Sequence, residues 1–238
     1  MKRTMRLRLA TLALLAAASP AVARPQGPEG EIYTAHGTEP FWGLTFEDGK
    51  MIWSDEVERI EVLRPRPTTR GGVHVYRTRR FTVEVSHEGR CNDGMSEYEY
   101  PDTVRIRFGR SRTGRALEGC GGGILPPATL LDTGWSIVDI DGAQVGGEAY
   151  QLQFDANGMQ GRAGCNRFSG PYGQSGHILT PGALRVTRMA CPGEAGAHEA
   201  KVLRLLGGPV RISYRGGMIM MLQADRDGAG VYVTLRRQ

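Results

Sequence analysis

The chain has 238 residues, of which 40% are hydrophobic and 23% are charged, enough for one or two folded domains with buried cores. Its 34 glycines and 13 prolines favour turns over long helices. The formal net charge is +5, but four cationic residues lie in the first eight positions, and without them it is +5 − 4 = +1, which excludes strong attraction to nucleic-acid phosphates.

The first 23 residues have the organisation of a cleavable secretory signal. A basic head precedes the apolar run Leu9–Ala18, and Ala21-Val22-Ala23 has the small-x-small pattern that a signal peptidase recognises. This run is too short to span a bilayer, which takes about 20 helical residues; a buried N-terminal helix is the competing interpretation. No cysteine lies near the cleavage site to carry a lipid. We therefore expect a periplasmic or secreted mature chain without a transmembrane segment.

The four cysteines fall into two clusters. In an oxidising compartment an even number of cysteines indicates disulfides. Pairing within each cluster joins Cys91 to Cys120 and Cys165 to Cys191, and it closes loops of 29 and 26 residues (120 − 91 and 191 − 165). A four-cysteine zinc site is the alternative, but the chain contains no C-x-x-C pair. The sequence therefore favours two local disulfides.

Residues 24–30 form a lead-in rich in proline and glycine, without apolar periodicity. From Glu31 onwards, apolar and polar residues alternate in short runs that indicate β-strands, and Asp48-Gly49 is a hairpin signal. The predicted strands are Phe41–Phe46, Met51–Trp53, Ile60–Leu63, Val73–Tyr76, Phe81–Val85 and Val104–Phe108. Residues 31–122 are thus predicted to form an antiparallel β domain, either a sheet or an open barrel.

Glycines from position 121 followed by paired prolines predict a linker at residues 123–129. Residues 130–238 then combine strands with one helix, Glu194–Leu206, whose apolar side is predicted to hold Ala200, Val202, Leu203 and Leu206. The predicted strands are Trp135–Ile140, Tyr150–Phe154, Met159–Arg162, Ile178–Leu179, Leu184–Met189, Val210–Tyr214, Met218–Leu222 and Val231–Leu235. The expected fold class is mainly β, with an α+β second domain in which one helix packs on an antiparallel sheet.

Two linked motifs give the second domain a family resemblance. G-R-A-G-C-N-R-F-S-G-P-Y occupies 161–172, T-R-M-A-C occupies 187–191, and Trp135 stands near the domain start. With the helix that follows, this pattern resembles the META domain of HslJ-like heat-shock lipoproteins of the bacterial envelope, over about residues 128–238. The resemblance implies a structural role, with an interaction surface as the alternative, for Gly161, Gly164, Asn166, Phe168, Gly170, Tyr172, Thr187, Arg188 and Met189.

What the resemblance implies about function is limited. Members of the family are associated with heat shock, novobiocin resistance and parasite virulence, none of which names a ligand or a reaction. This chain lacks the lipidation cysteine of the lipoprotein members, so membrane anchoring is not carried over. The N-terminal part, with G-T-E-P-F-W at 37–42 and C-N-D-G-M-S at 91–96, looks like an uncharacterised envelope-associated domain often found with META.

Motifs for phosphate or metal binding are weak. The glycine-rich stretches 119–123 and 161–170 lack the P-loop and dinucleotide patterns and each holds a cysteine, which favours turns around a disulfide. Methionines 189, 218, 220 and 221 are more typical of core packing than of copper(I) binding. The histidines have no ligand spacing, so we expect no metal, although a site assembled in three dimensions stays open. They are His36, His74, His87, His177 and His198.

Asp93, Glu97, Tyr98 and Tyr100 form a polar patch in the sequence. It either binds a ligand or belongs to a turn at Asn92-Asp93-Gly94, because asparagine, aspartate and glycine favour turns. Tryptophans 42, 53 and 135 are predicted to be core anchors.

Arg167 and Arg188 flank the predicted second disulfide, and Asn166 is placed to cap turns through its side chain. We interpret these three residues as structural, with a surface interaction as the alternative. No G-x-S-x-G elbow surrounds Ser169, so a hydrolase lacks support.

The sequence is best interpreted as a non-enzymatic, exported binding module that acts in envelope stress or antibiotic tolerance. Its partner is an unknown envelope protein or small ligand, and we expect a monomer without catalytic residues, cofactor or metal. Two alternatives stay open. One is a proteinase inhibitor that presents residues 170–176 as a loop, and the other is a small β-barrel that carries an apolar ligand.

Overall fold

The computed structural model describes residues 32–87, 89–109 and 116–238. The predicted signal at 1–23 and lead-in at 24–30 lie outside these residues. The described chain is mostly antiparallel β, with 56% strand, one helix and two curled sheets. This confirms the predicted mainly β fold class.

Eleven strands precede residue 122 in the described part of the chain. Nine form one antiparallel sheet in the order β4-β3-β2-β1-β11-β10-β7-β6-β5, and β8 and β9 form a separate two-stranded sheet. The strands are β1 (Tyr33–Thr38), β2 (Phe41–Glu47), β3 (Lys50–Ser54), β4 (Arg59–Leu63), β5 (Thr68–Arg70), β6 (Val73–Arg77), β7 (Phe81–Ser86), β8 (Cys91–Asn92), β9 (Glu99–Tyr100), β10 (Asp102–Phe108) and β11 (Ala116–Gly121).

Strand β11 lies in the middle of the first sheet, between β1 and β10, and it ends at Gly121, before the predicted linker. Its glycines reflect close packing. A Cβ atom on Gly119 would lie 2.0 Å from the carbonyl oxygen of His36 and 2.7 Å from the Trp42 ring. Glycine therefore lets β1 and the Trp42 side chain approach β11.

The second sheet has 11 strands, in the order β17-β18-β20-β21-β22-β12-β14-β15-β16-β19, with β13 paired to β12. One helix, α1 (Glu194–Leu205), packs on it against β12, β15, β21 and β22. The strands are β12 (Thr133–Ile140), β13 (Ala143–Gln144), β14 (Tyr150–Asp155), β15 (Gly158–Ala163), β16 (Arg167–Gly170), β17 (Tyr172–Ser175), β18 (Ile178–Pro181), β19 (Arg185–Val186), β20 (Val210–Arg215), β21 (Ile219–Arg226) and β22 (Ala229–Arg237).

The helix α1 lies where the apolar pattern predicts, but its buried side differs. Val202 and Leu205 are buried, as is Leu206 just beyond the helix, whereas Ala200 is exposed. Positions 202, 205 and 206 follow the i, i+3, i+4 spacing of one helical face, on which position 200 does not lie. The inclusion of Ala200 in the apolar side was therefore wrong.

Residues Ile32–Gln238 form one compact unit that contains two separate hydrophobic cores. Trp42 and Trp53 belong to the first core and Trp135 to the second, and all three are at most 4% exposed, as predicted. The Leu125 amide, in the segment between β11 and β12, donates to the carbonyl of Glu99 in β9 at 2.8 Å. The domain limits 31–122, 123–129 and 130–238 stay predictions.

The structure contains two disulfides, Cys91–Cys120 and Cys165–Cys191. They are the pairs that the clustering of the cysteines favours. The first joins β8 to β11, and the second joins the segment after β15 to the segment before α1. The first disulfide therefore ties the two-stranded sheet to the nine-stranded one, and the second ties two segments of the second sheet's part of the chain together.

Candidate functional site

Asn166 holds the two sequence motifs together. Its side chain is buried, and its Oδ1 accepts hydrogen bonds from the Met189 amide at 2.7 Å and the Thr187 hydroxyl at 2.9 Å. Its Nδ2 donates to the Met189 carbonyl at 3.2 Å and to the Glu199 carboxylate at 3.0 Å. The other carboxylate oxygen of Glu199 accepts a hydrogen bond from the backbone amide of Asn166 at 2.7 Å. One asparagine thus joins the first motif, the second motif and helix α1.

Gly164 shows why the motif needs glycine beside Cys165. Its φ is +129°, and a Cβ atom there would lie 2.3 Å from the carbonyl oxygen of Ala195 in α1. The residue therefore combines a backbone conformation that other residues avoid with close approach to the helix.

The remaining motif residues divide into buried and exposed groups. Phe168 is buried in β16, and the Tyr172 ring packs edge-on against Phe154 with centroids 5.0 Å apart. Arg188 is exposed, as is Met189, at 57%. Gly161 and Gly170 lie in β15 and β16. The predicted strand Leu184–Met189 is limited to β19, beyond which the Thr187 hydroxyl and the Met189 amide donate to Asn166.

The outward face of β14, β15, β16 and β19 carries two rows of polar side chains, which we call the arginine–glutamine face. In the first row, Gln151 lies opposite Arg162, and Arg162 lies opposite Arg167. In the second row, Gln160 lies opposite both Gln153 and Ser169. Arg185 completes the second row opposite Ser169. The Thr187 amide donates to the Arg167 carbonyl at 3.0 Å, which completes the first row. The face consists of Gln151, Gln153, Gln160, Arg162, Arg167, Ser169, Arg185 and Thr187.

A cavity of about 310 Å³ opens on this face. Three arginines line it, together with three glutamines, and none of the described residues that line it is acidic. Among the described residues none of these arginines forms a salt bridge; the Arg162 Nε donates to the Cys165 carbonyl at 3.0 Å. Like charges directly opposite each other destabilise a sheet. An anion bound between Arg162 and Arg167 would offset this repulsion, so the pair is suited to hold one.

The motifs point to Arg167 and Thr187, but they do not indicate the face as a whole. Alternation in Y-Q-L-Q-F places Gln151 and Gln153 on the outer side of β14, and this signal was available. The alignment of four strands in one register was not, because it depends on turns and bulges between them.

The predicted polar patch around Asp93 does not come together as one ligand site. Tyr100 is 9% exposed and packs edge-on against His36, while the Tyr98 hydroxyl donates to the Gln238 carbonyl at 3.4 Å. Asp93 accepts hydrogen bonds from the amides of Met95 and Ser96, at 3.0 and 2.9 Å. These local bonds are those of the turn interpretation.

The Asp93 carboxyl gives a prediction about pH. Burial would raise its pKa, but the amides of Met95 and Ser96, together with His36, outweigh burial and lower the pKa. A depressed folded-state pKa stabilises the protein above the unfolded pKa of about 3.9, and this contribution is lost as the pH falls through the folded value. We expect Asp93→Asn to lower the free energy of unfolding by about 1–2 kcal/mol at pH 7.

Urea unfolding at pH 7, 4 and 3 measures this effect, and the gap between the parent protein and Asp93→Asn should shrink at the lower values. Glu97→Gln removes the same charge from the exposed part of the same loop and is expected to change stability by less than about 0.5 kcal/mol. A gap that widens as the pH falls would contradict the assignment.

Residues 170–176, considered as an inhibitory loop, contain strand β17, which pairs with β18, so this segment is not a free loop. Met220 is buried in the second core, whereas Met189 is exposed.

Within the described ranges, no three histidine, cysteine, aspartate or glutamate side chains converge to hold a metal. No helix in the described part of the chain is long and apolar enough to cross a membrane.

Comparisons with known proteins concern the second sheet. The model of the META domain family matches residues 128–236. An NMR structure of a protein from Burkholderia xenovorans is 27% identical over 46% of this chain and 83% of that chain, with a TM-score of 0.36. No curated protein matches the chain. The predicted resemblance of the C-terminal part to the META domain is therefore confirmed over residues 128–236.

Proposed function

We propose that the protein is an exported, non-enzymatic envelope protein whose META domain binds an anionic glycan through the arginine–glutamine face. The observation that carries the proposal is the direct opposition of Arg162 and Arg167 on β15 and β16, in a cavity to which the described part of the chain contributes no acidic side chain. The two disulfides and the family match support a place in the envelope.

The side chains of the face suit a ligand that carries both charge and hydroxyl groups. Arginine binds carboxylate and phosphate through two parallel N–H donors. Glutamine offers an amide donor and a carbonyl acceptor, which match the hydroxyls of a sugar. Each row crosses four strands, so it extends for about 14 Å at the usual spacing of neighbouring strands. This length favours an extended oligosaccharide over a single small ion.

The test compares charged and neutral sugars of the same length. We expect an oligogalacturonate or a phosphorylated oligosaccharide to bind in isothermal titration calorimetry, and a neutral oligosaccharide not to bind. Arg162→Gln combined with Arg167→Gln should weaken binding by about tenfold or more, since hydrogen bonds to charged groups contribute about 1.5–3 kcal/mol.

A matched control removes the same charge elsewhere on the sheet. Arg211 in β20 and Arg236 in β22 are exposed and lie outside the face, so their double replacement by glutamine should leave the affinity unchanged. The proposal fails if the neutral sugar binds equally well, if neither charged sugar binds, or if the two double variants lose affinity alike.

A further inference from the structure

Two histidines of the first sheet face each other through ring nitrogens. His74 lies in β6 and His87 follows β7 directly. Because His74 pairs with Val85, and His87 lies two residues beyond Val85, His74 and His87 lie on the same side of the sheet. Nδ1 of His74 is 3.3 Å from Nε2 of His87, and the rings are 4.8 Å apart at 79°.

A buried carboxylate orients one of these rings. Oδ1 of Asp102 lies 2.7 Å from Nδ1 of His87, and Asp102 is 4% exposed. The carboxylate accepts a hydrogen bond from the Nδ1–H group of His87, so the Nε2 atom of this tautomer presents its lone pair towards His74. Burial raises the pKa of the neighbouring Tyr33, and the negative charge of Asp102 raises it further.

From this geometry we propose that His74 and His87 bind one divalent transition-metal ion, Cu²⁺ or Zn²⁺, with Asp102 as the residue that positions His87. An ion about 2.1 Å from each of the two nitrogens would make an N–metal–N angle of about 104°. That angle is close to tetrahedral. A carboxylate on the far nitrogen of a ligating histidine is the usual arrangement around bound metals.

The ligand set predicts the preference among ions. Two neutral imidazoles favour Cu²⁺ over Zn²⁺, and they do not suit Mg²⁺, which prefers oxygen ligands. Since no three described histidine, cysteine, aspartate or glutamate side chains converge, solvent or a second molecule supplies the remaining ligands. The ion displaces the proton shared by the two nitrogens, and His74 then carries its proton on Nε2.

The test uses the protein purified without a histidine tag and titrated with Cu²⁺, Zn²⁺ or Mg²⁺ alone. We expect one Cu²⁺ per chain at this site, weaker Zn²⁺ binding and no Mg²⁺ binding, measured by calorimetry. The electron paramagnetic resonance spectrum of the Cu²⁺ form should show two coordinated imidazole nitrogens. Replacing either His74 or His87 with glutamine should abolish binding at this site, whereas His177→Gln, an exposed histidine of the other sheet, should not.

Asp102→Asn separates a positioning role from a ligand role. We expect the Cu²⁺ affinity to fall by about 10- to 100-fold, while the spectrum retains two imidazole nitrogens. Thermal unfolding of each variant without metal identifies any that fail to fold. The proposal is overturned if Cu²⁺ does not bind, or if binding survives His74→Gln and His87→Gln. An unchanged affinity in Asp102→Asn would remove Asp102 from the site.

Discussion

Replacing Asn166 with alanine is expected to lower the free energy of unfolding by about 4 kcal/mol. The side chain makes four hydrogen bonds in a buried position, and each buried group left without a partner costs about 1–3 kcal/mol. Urea unfolding followed by circular dichroism measures the loss. Asn157→Ala, at an exposed turn of the same sheet, is the control and should change stability by less than about 0.5 kcal/mol.

A second variant tests whether the direction of these bonds matters. Asn166→Asp keeps the shape but removes both amide donors and places a carboxylate beside Glu199, so it should be about as destabilising as alanine. Adding Glu199→Gln restores a donor opposite the new carboxylate and should recover part of the loss. If Asn166→Asp alone folds with the stability of the parent protein, this network does not hold the motifs together.

Removing the Cys165–Cys191 disulfide is expected to lower the free energy of unfolding of the second sheet by about 3.5 kcal/mol. This is the chain-entropy contribution of a 26-residue loop. Because the two sheets have separate cores, the first sheet should keep its stability. Trp135 reports on the second sheet, and Trp42 and Trp53 report on the first, so their fluorescence separates the two transitions.

The matched control removes the other disulfide. Replacing Cys91 and Cys120 with alanine opens a 29-residue loop and should lower the stability of the first sheet by a similar amount, about 3.5 kcal/mol. In each double-alanine variant, tryptophans of the untouched sheet should unfold as in the parent protein. A joint shift of both transitions would show that the sheets unfold as one unit.

Much of the fold follows from alternation. The run F-T-V-E-V at 81–85 has inward residues Phe81, Val83 and Val85, all at most 2% exposed, and the observed β7 extends it by one residue. Asp48 and Gly49 have φ values of +45° and +73°, as the hairpin signal requires. Where side-chain period and turn chemistry agree, sequence reasoning predicts a strand well.

Other elements depend on contacts between distant segments. Strand β11 contains two glycines and a cysteine, so its composition predicts a turn, and its place in the sheet follows from the packing of β1. The arginine–glutamine face and the pair His74 and His87 likewise depend on register between strands. One residue of slip would move each of these side chains to the opposite side of its sheet.

The position of β22 affects how the second sheet forms during synthesis. This strand, Ala229–Arg237, pairs with β21 on one side and with β12 on the other. Strand β12, the first of the sheet along the chain, can pair with β13 and β14 early, but its other edge lacks a partner until β22 has left the ribosome. Such distant pairing slows folding and leaves a nascent edge exposed to other chains. Rapid folding of this sheet thus awaits the release of its final strand.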